Sequence, residues 1–182
     1  MTDAILEPHS YEQLGQDESL QLSETGCGAI ILRGQSDQLS AALATVGAPY
    51  PARANQWAQN AAGLTLWQRP SRAMLLLPRE GEQSTCAALT AAGVVALQAG
   101  GQYVGFRLNG VCAAQVINAG CSLDLRPDKF SVGDCAGTRI ERMPVTLAKL
   151  ADDDFLVLVE RPLAPHLHLW LTQVSSVFEE DM

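Results

Sequence analysis

Residues 103–130, YVGFRLNGVCAAQVINAGCSLDLRPDKF, constrain the fold more than any other stretch of the sequence. At its start, apolar residues alternate with small or polar ones, which is the periodicity of a strand with one buried face. Gly110 belongs to an Asn-Gly dipeptide, which predicts a turn at the end of that strand. The next residues have near-helical apolar spacing up to Gly120, a typical C-terminal stop, and a tight loop then runs to Pro127. The stretch therefore predicts a strand, a short helix and a capped loop.

Length and charge limit what this unit can belong to. The chain has 182 residues, of which 47% are apolar, so it can bury a core as one larger domain or as two small subdomains. Its net charge is −8, with 20 acidic against 12 basic residues, which disfavours binding to nucleic acid or to an anionic membrane. No apolar run approaches the roughly 20 residues of a membrane span, and the N-terminus lacks the pattern of a leader. We therefore predict a cytoplasmic protein with neither nucleic acid nor membrane as partner.

The residue types that carry chemistry do not form a familiar site. The five cysteines are odd in number and contain no CxxC pair, so we interpret them as reduced thiols. His166 and His168 are two residues apart on a predicted helix and point to different faces, which disfavours a shared metal. The acidic run 152–154 lies between two apolar strands and is typical of a hairpin tip. No glycine pattern of a phosphate loop is present.

The order of predicted elements indicates an α+β fold with mostly antiparallel sheets and helices packed on one face. Residues 1–26 are polar and acidic and predict a flexible N-terminal arm, or an arm that becomes ordered on a partner surface. The remainder, 27–182, is predicted to be a single domain built from two halves, about 27–102 and 103–178, with a similar rhythm of strands and helices. The predicted strands are 27–32, 63–67, 73–77, 94–97, 104–108, 137–150 and 155–159, and the predicted helices cover 39–46, 84–92, 111–117 and 162–174.

Two kinds of residue in the second half suit a protein partner. Trp170 lies one step from the leucine stripe of the last helix, so it either fills the core or anchors an interface. Arg139 and Arg142 lie in an otherwise apolar predicted strand, where surface or interface pairing is favoured over an anion site.

The second half of the chain contains the segment NGVCAAQVINAGCSLDLRPDKFSVGDCAGTRIERMPVTLAKLADDDFLVLVERPLAPHLHLWL. Its distinctive positions are Gly110, the Leu123-Asp124-Leu125 loop, Phe130, Gly133, Arg139, Val145, Asp154-Phe155, Arg161 and Trp170-Leu171. At these positions, residues 104–172 resemble the gamma subunit of heterotetrameric sarcosine oxidase. The part of the chain before residue 104 fits the family only in outline.

This resemblance implies a fold similar to the folate-binding domain of the glycine-cleavage T-protein, an aminomethyltransferase. It implies a subunit of an enzyme of one-carbon metabolism that oxidatively demethylates sarcosine to glycine and produces peroxide. The alpha, beta and delta subunits are the implied partners, and they would carry FAD, FMN, NAD, tetrahydrofolate and zinc. The gamma subunit itself is implied to be structural, with no cofactor, metal or catalytic residue of its own. The lack of a recognisable site in the sequence agrees with that role.

Two hypotheses follow for the residues that carry the function. In the first, the chain binds the other subunits, and the predicted contact residues are Tyr11, Leu14, Arg126, Arg139 and Trp170. In the second, it is a stand-alone folate-binding protein similar to an aminomethyltransferase, with Asp124 as carboxylate for the pterin ring and Tyr103 as stacking group.

Overall fold

A computed structural model describes residues 5–6, 8–14 and 20–179 of the chain, without the side chains of 8–14 and 178–179. It divides into two compact units. The first comprises Met1–Glu7 and Gly26–Tyr103, and the second comprises Pro8–Thr25 and Val104–Met182. The prediction of a single domain over 27–182 stays a prediction.

The described part of the chain contains eleven strands and four α-helices. The strands are β1 (Pro8–Leu14), β2 (Leu20–Thr25), β3 (Gly28–Arg33), β4 (Trp57–Asn60), β5 (Gly63–Arg69), β6 (Arg72–Leu77), β7 (Val95–Gln98), β8 (Tyr103–Asn109), β9 (Cys135–Ile140), β10 (Met143–Ala151) and β11 (Asp154–Glu160). The helices are α1 (Ser36–Thr45), α2 (Glu82–Ala91), α3 (Ala113–Asn118) and α4 (Ala164–Glu179). None of these helices has the length and hydrophobicity that a membrane crossing requires.

The first unit contains a five-stranded sheet in the order β4-β5-β6-β3-β7. Its pairings are antiparallel, with Ile30 opposite Leu75 and Leu32 opposite Ala73. Because side chains alternate between faces along a strand, these residues share one face, where they form a core with buried residues of α1 and α2. The two helices therefore cover one face of this sheet.

The second unit contains a six-stranded sheet in the order β1-β2-β8-β11-β10-β9. Apolar residues of β2, β8, β10 and β11 form its core together with Val116 of α3 and Leu167 and Leu171 of α4. The predicted α+β class, with mostly antiparallel sheets and helices on one face, is confirmed by this arrangement.

The two units repeat one order of elements. The first unit follows β3-α1-β4-β5-β6-α2, and the second follows β8-α3-β9-β10-β11-α4. In each sheet the first strand of this series lies between the fourth and one further strand. That further strand is β7, after α2, in the first unit, but it is β2, from near the N-terminus, in the second.

The N-terminal segment differs from the predicted flexible arm over 1–26. Its residues 8–14 and 20–25 form β1 and β2, which pair with each other, and β2 also pairs with β8. Leu20 and Leu22 are buried on one face of β2. Two leucines are too few to indicate a core from local sequence, and the strand depends on pairing with residues far along the chain.

Two predicted strand boundaries are also wrong. The segment predicted as one strand over 137–150 is a hairpin, because the chain reverses at Glu141, which has a positive φ of 53°. The loop between β5 and β6 is the two-residue turn 70–71 and not the predicted five residues 68–72. The loop is short because the pairing of β5 and β6 continues to Arg69 opposite Arg72. Gly34 donates its N–H to the carbonyl of Ser71 at 3.2 Å, which joins this turn to the end of β3.

Candidate functional site

Trp170 lies partly in the core and partly at the surface of α4. It is half-buried and packs against the core of the second unit. A Cβ added to Gly120 would lie 2.6 Å from Cζ2 of the indole, so the ring rests directly on the backbone at Gly120. The N–H of Glu141 donates to the carbonyl of Gly120 at 2.8 Å, which fixes the β9–β10 turn beside the ring. Trp170 therefore both fills the core and presents one edge of its ring to solvent.

An open depression lies next to this turn. Its volume is about 380 Å³, and it is lined by Glu141, Arg142, Met143, Leu163 and His166. Met143 is buried, whereas the three ionisable side chains are exposed. An apolar floor with a charged rim suits the side chain of another protein.

Asp124 and Arg126 form a local ion pair in the loop after α3. The Nη2 of Arg126 donates to Oδ2 of Asp124 at 2.6 Å, and Nε donates to both carboxylate oxygens at 3.0 Å. Hydrogen bonds from the side chain and the backbone N–H of Arg126 lower the pKa of Asp124 from 3.8 to about 2. Both residues are exposed. A pterin or a partner group that bound either residue would have to compete with the other.

The remaining predicted site residues are spread over both units. Arg139 is exposed on the edge strand β9, whereas Arg142 lies in the following turn and not in a strand. The hydroxyl of Tyr103 accepts a hydrogen bond from Nη2 of Arg72 at 3.5 Å. Tyr103 belongs to the first unit and Asp124 to the second. The side chains of Tyr11 and Leu14 lie outside the described part of the chain, although their backbone belongs to β1.

A largely buried ion pair of the second unit, between Arg107 and Asp154, was not predicted from the sequence. Asp154 was interpreted as part of a hairpin tip, but it is buried at the start of β11. Arg107 of β8 donates from Nε and Nη2 to both of its carboxylate oxygens, at 2.7–3.1 Å. The available signal was the alternation in β8, which places Arg107 on the face opposite Phe106. The partner could not be inferred, because it lies 47 residues away.

All five cysteines are buried and free. Burial, partly offset by Arg79 and reinforced by Glu82, raises the pKa of Cys27 from 9.0 to about 11. Burial also raises the pKa of Cys86. Because the thiolate is the reactive form, both thiols are expected to be poor nucleophiles near neutral pH.

We predict that Cys27 of the native chain reacts with iodoacetamide at pH 8 at least roughly 100-fold more slowly than in urea, because its thiolate is about 100-fold rarer. Between pH 9 and 11 the Cys27 thiol keeps its proton in the native state but loses it in the unfolded state. The Cys27 thiol therefore makes the free energy of unfolding fall as the pH rises from 9 to 11. Mass spectrometry of the alkylated Cys27 peptide measures the first effect. Equal labelling rates in the two states would contradict the assignment.

The sequence matches a known protein family, and the structure is similar to known structures. The sequence profile of the sarcosine oxidase, gamma subunit family matches residues 41–177. A chain of heterotetrameric sarcosine oxidase from Corynebacterium sp. U-96, solved in complex with pyrrole 2-carboxylate, has a TM-score of 0.80 and 23% identity over 88% of this chain and 85% of its own. The glycine cleavage system aminomethyltransferase T from Bartonella henselae has a TM-score of 0.56 and 16% identity over 80% of this chain and 43% of its own. Curated protein sequences show no significant match.

The two structural similarities concern the fold, at identities of 23% and 16%. The fold predicted from the resemblance to an aminomethyltransferase is thereby confirmed. The profile match spans most of the chain and includes α2, α3, every strand from β4 to β11 and α4 up to residue 177. The chain therefore belongs to the sarcosine oxidase gamma subunit family.

Proposed function

We propose that this chain is the gamma subunit of a heterotetrameric sarcosine oxidase complex and that it stabilises the assembly without taking part in the chemistry. The observation that carries the proposal is the family match over residues 41–177. The fold similarity to a chain of such an enzyme supports it. A subunit that binds only the assembled state stabilises that state by mass action.

In this proposal the reaction takes place on the other chains. The alpha, beta and delta subunits oxidatively demethylate sarcosine to glycine in the cytoplasm, and they hold FAD, FMN, NAD, tetrahydrofolate and zinc. This chain contributes surface that the others bury.

The surface of α4 supports a role in protein contact. From residue 164 to residue 178 the helix contains no Asp, Glu, Lys or Arg, and its exposed positions include Leu169 and Val177. Depletion of charge together with exposed apolar side chains is characteristic of the central part of protein interfaces. Trp170 borders this face, and we include it among the contact residues with Arg126 and Arg139. Tyr11 and Leu14 stay predicted contact residues.

Co-expression tests the proposal. The genes for the other oxidase subunits are expressed with and without this chain, and the products are analysed by size-exclusion chromatography and by sarcosine-dependent peroxide formation. We expect the chain to co-purify with the others and the complex to lose assembly or activity in its absence. Full assembly and activity without the chain would show that the proposal is wrong.

The folate-binding alternative has a separate test. Equilibrium titration of the isolated chain with tetrahydrofolate measures binding directly, with Asp124→Asn as the variant. Tight binding that this variant abolishes would favour the alternative. We expect no tight binding of tetrahydrofolate, because the carboxylate of Asp124 already accepts hydrogen bonds from Arg126.

A further inference from the structure

Three arginines lie side by side on adjacent strands of the first unit. Arg33 of β3 is directly opposite Arg72 of β6, and Arg72 is directly opposite Arg69 of β5. Cross-strand partners share a face, and neighbouring strands are about 4.8 Å apart, so the three guanidinium groups start from Cα atoms within about 10 Å of one another. We call these three residues the arginine row.

No carboxylate of the described residues neutralises the arginine row. Arg33 and Arg69 are exposed and make no ion pair or side-chain hydrogen bond within that part of the chain. Arg72 is half-buried, its Nη2 donates to Tyr103, and its buried Nε has no acceptor among the described residues. Like charges directly opposite each other in a sheet are destabilising. This arrangement indicates that the neutralising anion comes from outside the described part of the chain.

Apolar residues of the edge strand β7 lie beside the arginine row. Val95 of the edge strand β7 is directly opposite Arg33, and Leu97 is opposite Ile31, so both apolar side chains share the face of the row. They are 55% and 49% exposed. On β5, Gln68 lies at the irregularity beside Arg69, and its buried Oε1 has no donor among the described residues. The surface thus combines the two exposed cations Arg33 and Arg69 with an apolar border. Beneath it lie a buried guanidinium nitrogen and a buried amide oxygen that no described residue satisfies.

We propose that the arginine row, with Val95 and Leu97, docks an acidic segment of a partner subunit. The segment would place carboxylates on Arg33, Arg72 and Arg69 and apolar side chains on the edge strand. The proposal rests on the function proposed above and adds the location and the charge of one contact. A protein segment is favoured over a small anion because the side chains of Arg33 and Arg69 are exposed at the ends of their strands, whereas small-molecule sites bury most of their ligand. The border of half-exposed Val95 and Leu97 also suits a polypeptide.

The test compares two double variants that remove the same charge. Arg33→Gln with Arg69→Gln disrupts the arginine row, and Arg53→Gln with Arg79→Gln removes two exposed arginines outside it. Neither Arg53 nor Arg79 makes an ion pair in the described part of the chain. Each variant is titrated against the co-purified partner subunits at low and high NaCl, and the thermal stability of each isolated full chain is measured.

We expect the row variant to bind the partner subunits at least roughly tenfold more weakly than the wild type, since it loses two donors of charge-assisted hydrogen bonds to the acidic segment. We expect its affinity to depend less on salt, because fewer charges are paired across the interface. The isolated row variant should be as stable as the wild type or more stable, because like charges have been removed. The control variant should bind as the wild type does.

Four outcomes would overturn the docking site. These are equal weakening by the control variant, unchanged binding by the row variant, a loss of stability in the isolated row variant, and an isolated wild-type dimer that the row variant dissociates. The titration of the wild-type chain distinguishes failure of the docking site from failure of the proposed function. If the wild-type chain assembles with the subunits and the row variant binds as tightly, only the docking site is wrong. If the wild-type chain does not assemble, the proposed function fails and the docking site with it.

Discussion

Asp154→Asn is expected to lower the free energy of unfolding by about 3 kcal/mol, because it removes the carboxylate from a buried ion pair while the charge of the arginine stays largely buried. The side chain of Asp154 is 6% exposed and that of Arg107 is 23% exposed. Asparagine keeps the shape of the side chain but removes its negative charge. The guanidinium of Arg107 then stays at a largely buried position without its carboxylate. Urea unfolding followed by circular dichroism measures the change.

The neighbouring aspartates provide a matched control. Asp152 is exposed in the same hairpin, so Asp152→Asn changes the same atoms and the same charge without breaking the Arg107–Asp154 pair. We expect it to alter stability by less than about 0.5 kcal/mol. The double variant Arg107→Gln with Asp154→Asn should lose less free energy of unfolding than the sum of the losses of the two single variants. In the double variant neither charge of the pair is left behind after its partner is removed. Equal effects of Asp152→Asn and Asp154→Asn would contradict the importance of the buried pair.

Gly105→Ala is expected to destabilise the second unit by about 2 kcal/mol, because it places extra volume in a close-packed site. Gly105 lies in β8 opposite Thr25 of β2. An added Cβ would overlap Oγ1 of Thr25 and lie 3.3 Å from Cδ2 of Leu158. The two strands would have to separate, so the loss should appear as a lower urea midpoint and faster hydrogen exchange in both β2 and β8.

Thr25→Ala is expected to rescue this variant. The Oγ1 of Thr25 is buried and has no hydrogen-bond partner within the described ranges, so its removal relieves a desolvation cost as well as the overlap. Gly137→Ala is the control, since Gly137 also lies in a strand but an added Cβ there would have nothing within 4 Å. It should be neutral or slightly stabilising. Failure of the rescue would show that Thr25 is not the obstacle.

Local sequence was sufficient to predict the elements whose signals are strong over a short range. The strand β3 is a continuous apolar run between glycines, and β8 alternates clearly up to its turn. Short strands were missed where local signals are weak, as at β4, which is absent from the predicted strands. The hairpin of β9 and β10 was predicted as one strand. Its reversal at Glu141 requires a positive φ, and a glutamate gives no sequence signal for that conformation.

The charged features of the structure depend on contacts between residues far apart in the sequence. Arg107 and Asp154 meet only because β8 and β11 are neighbours in the sheet. The arginine row forms only because the pairing of β3, β6 and β5 places Arg33 opposite Arg72 and Arg72 opposite Arg69. By contrast, the pair of Asp124 and Arg126 is two residues apart, so its proximity was visible in the sequence although its role as a salt bridge was not.

The position of β2 has a consequence for how the protein is made. Its Leu22 pairs with Leu108, 86 residues later, so during synthesis β2 can pair with β1 but lacks its second neighbour until β8 is made. Until then, Leu20 and Leu22, which are buried in the folded chain, stay accessible to chaperones. A recombinant fragment that begins after residue 26 would accordingly leave β8, far from the cut in the sequence, as an exposed edge of the second sheet.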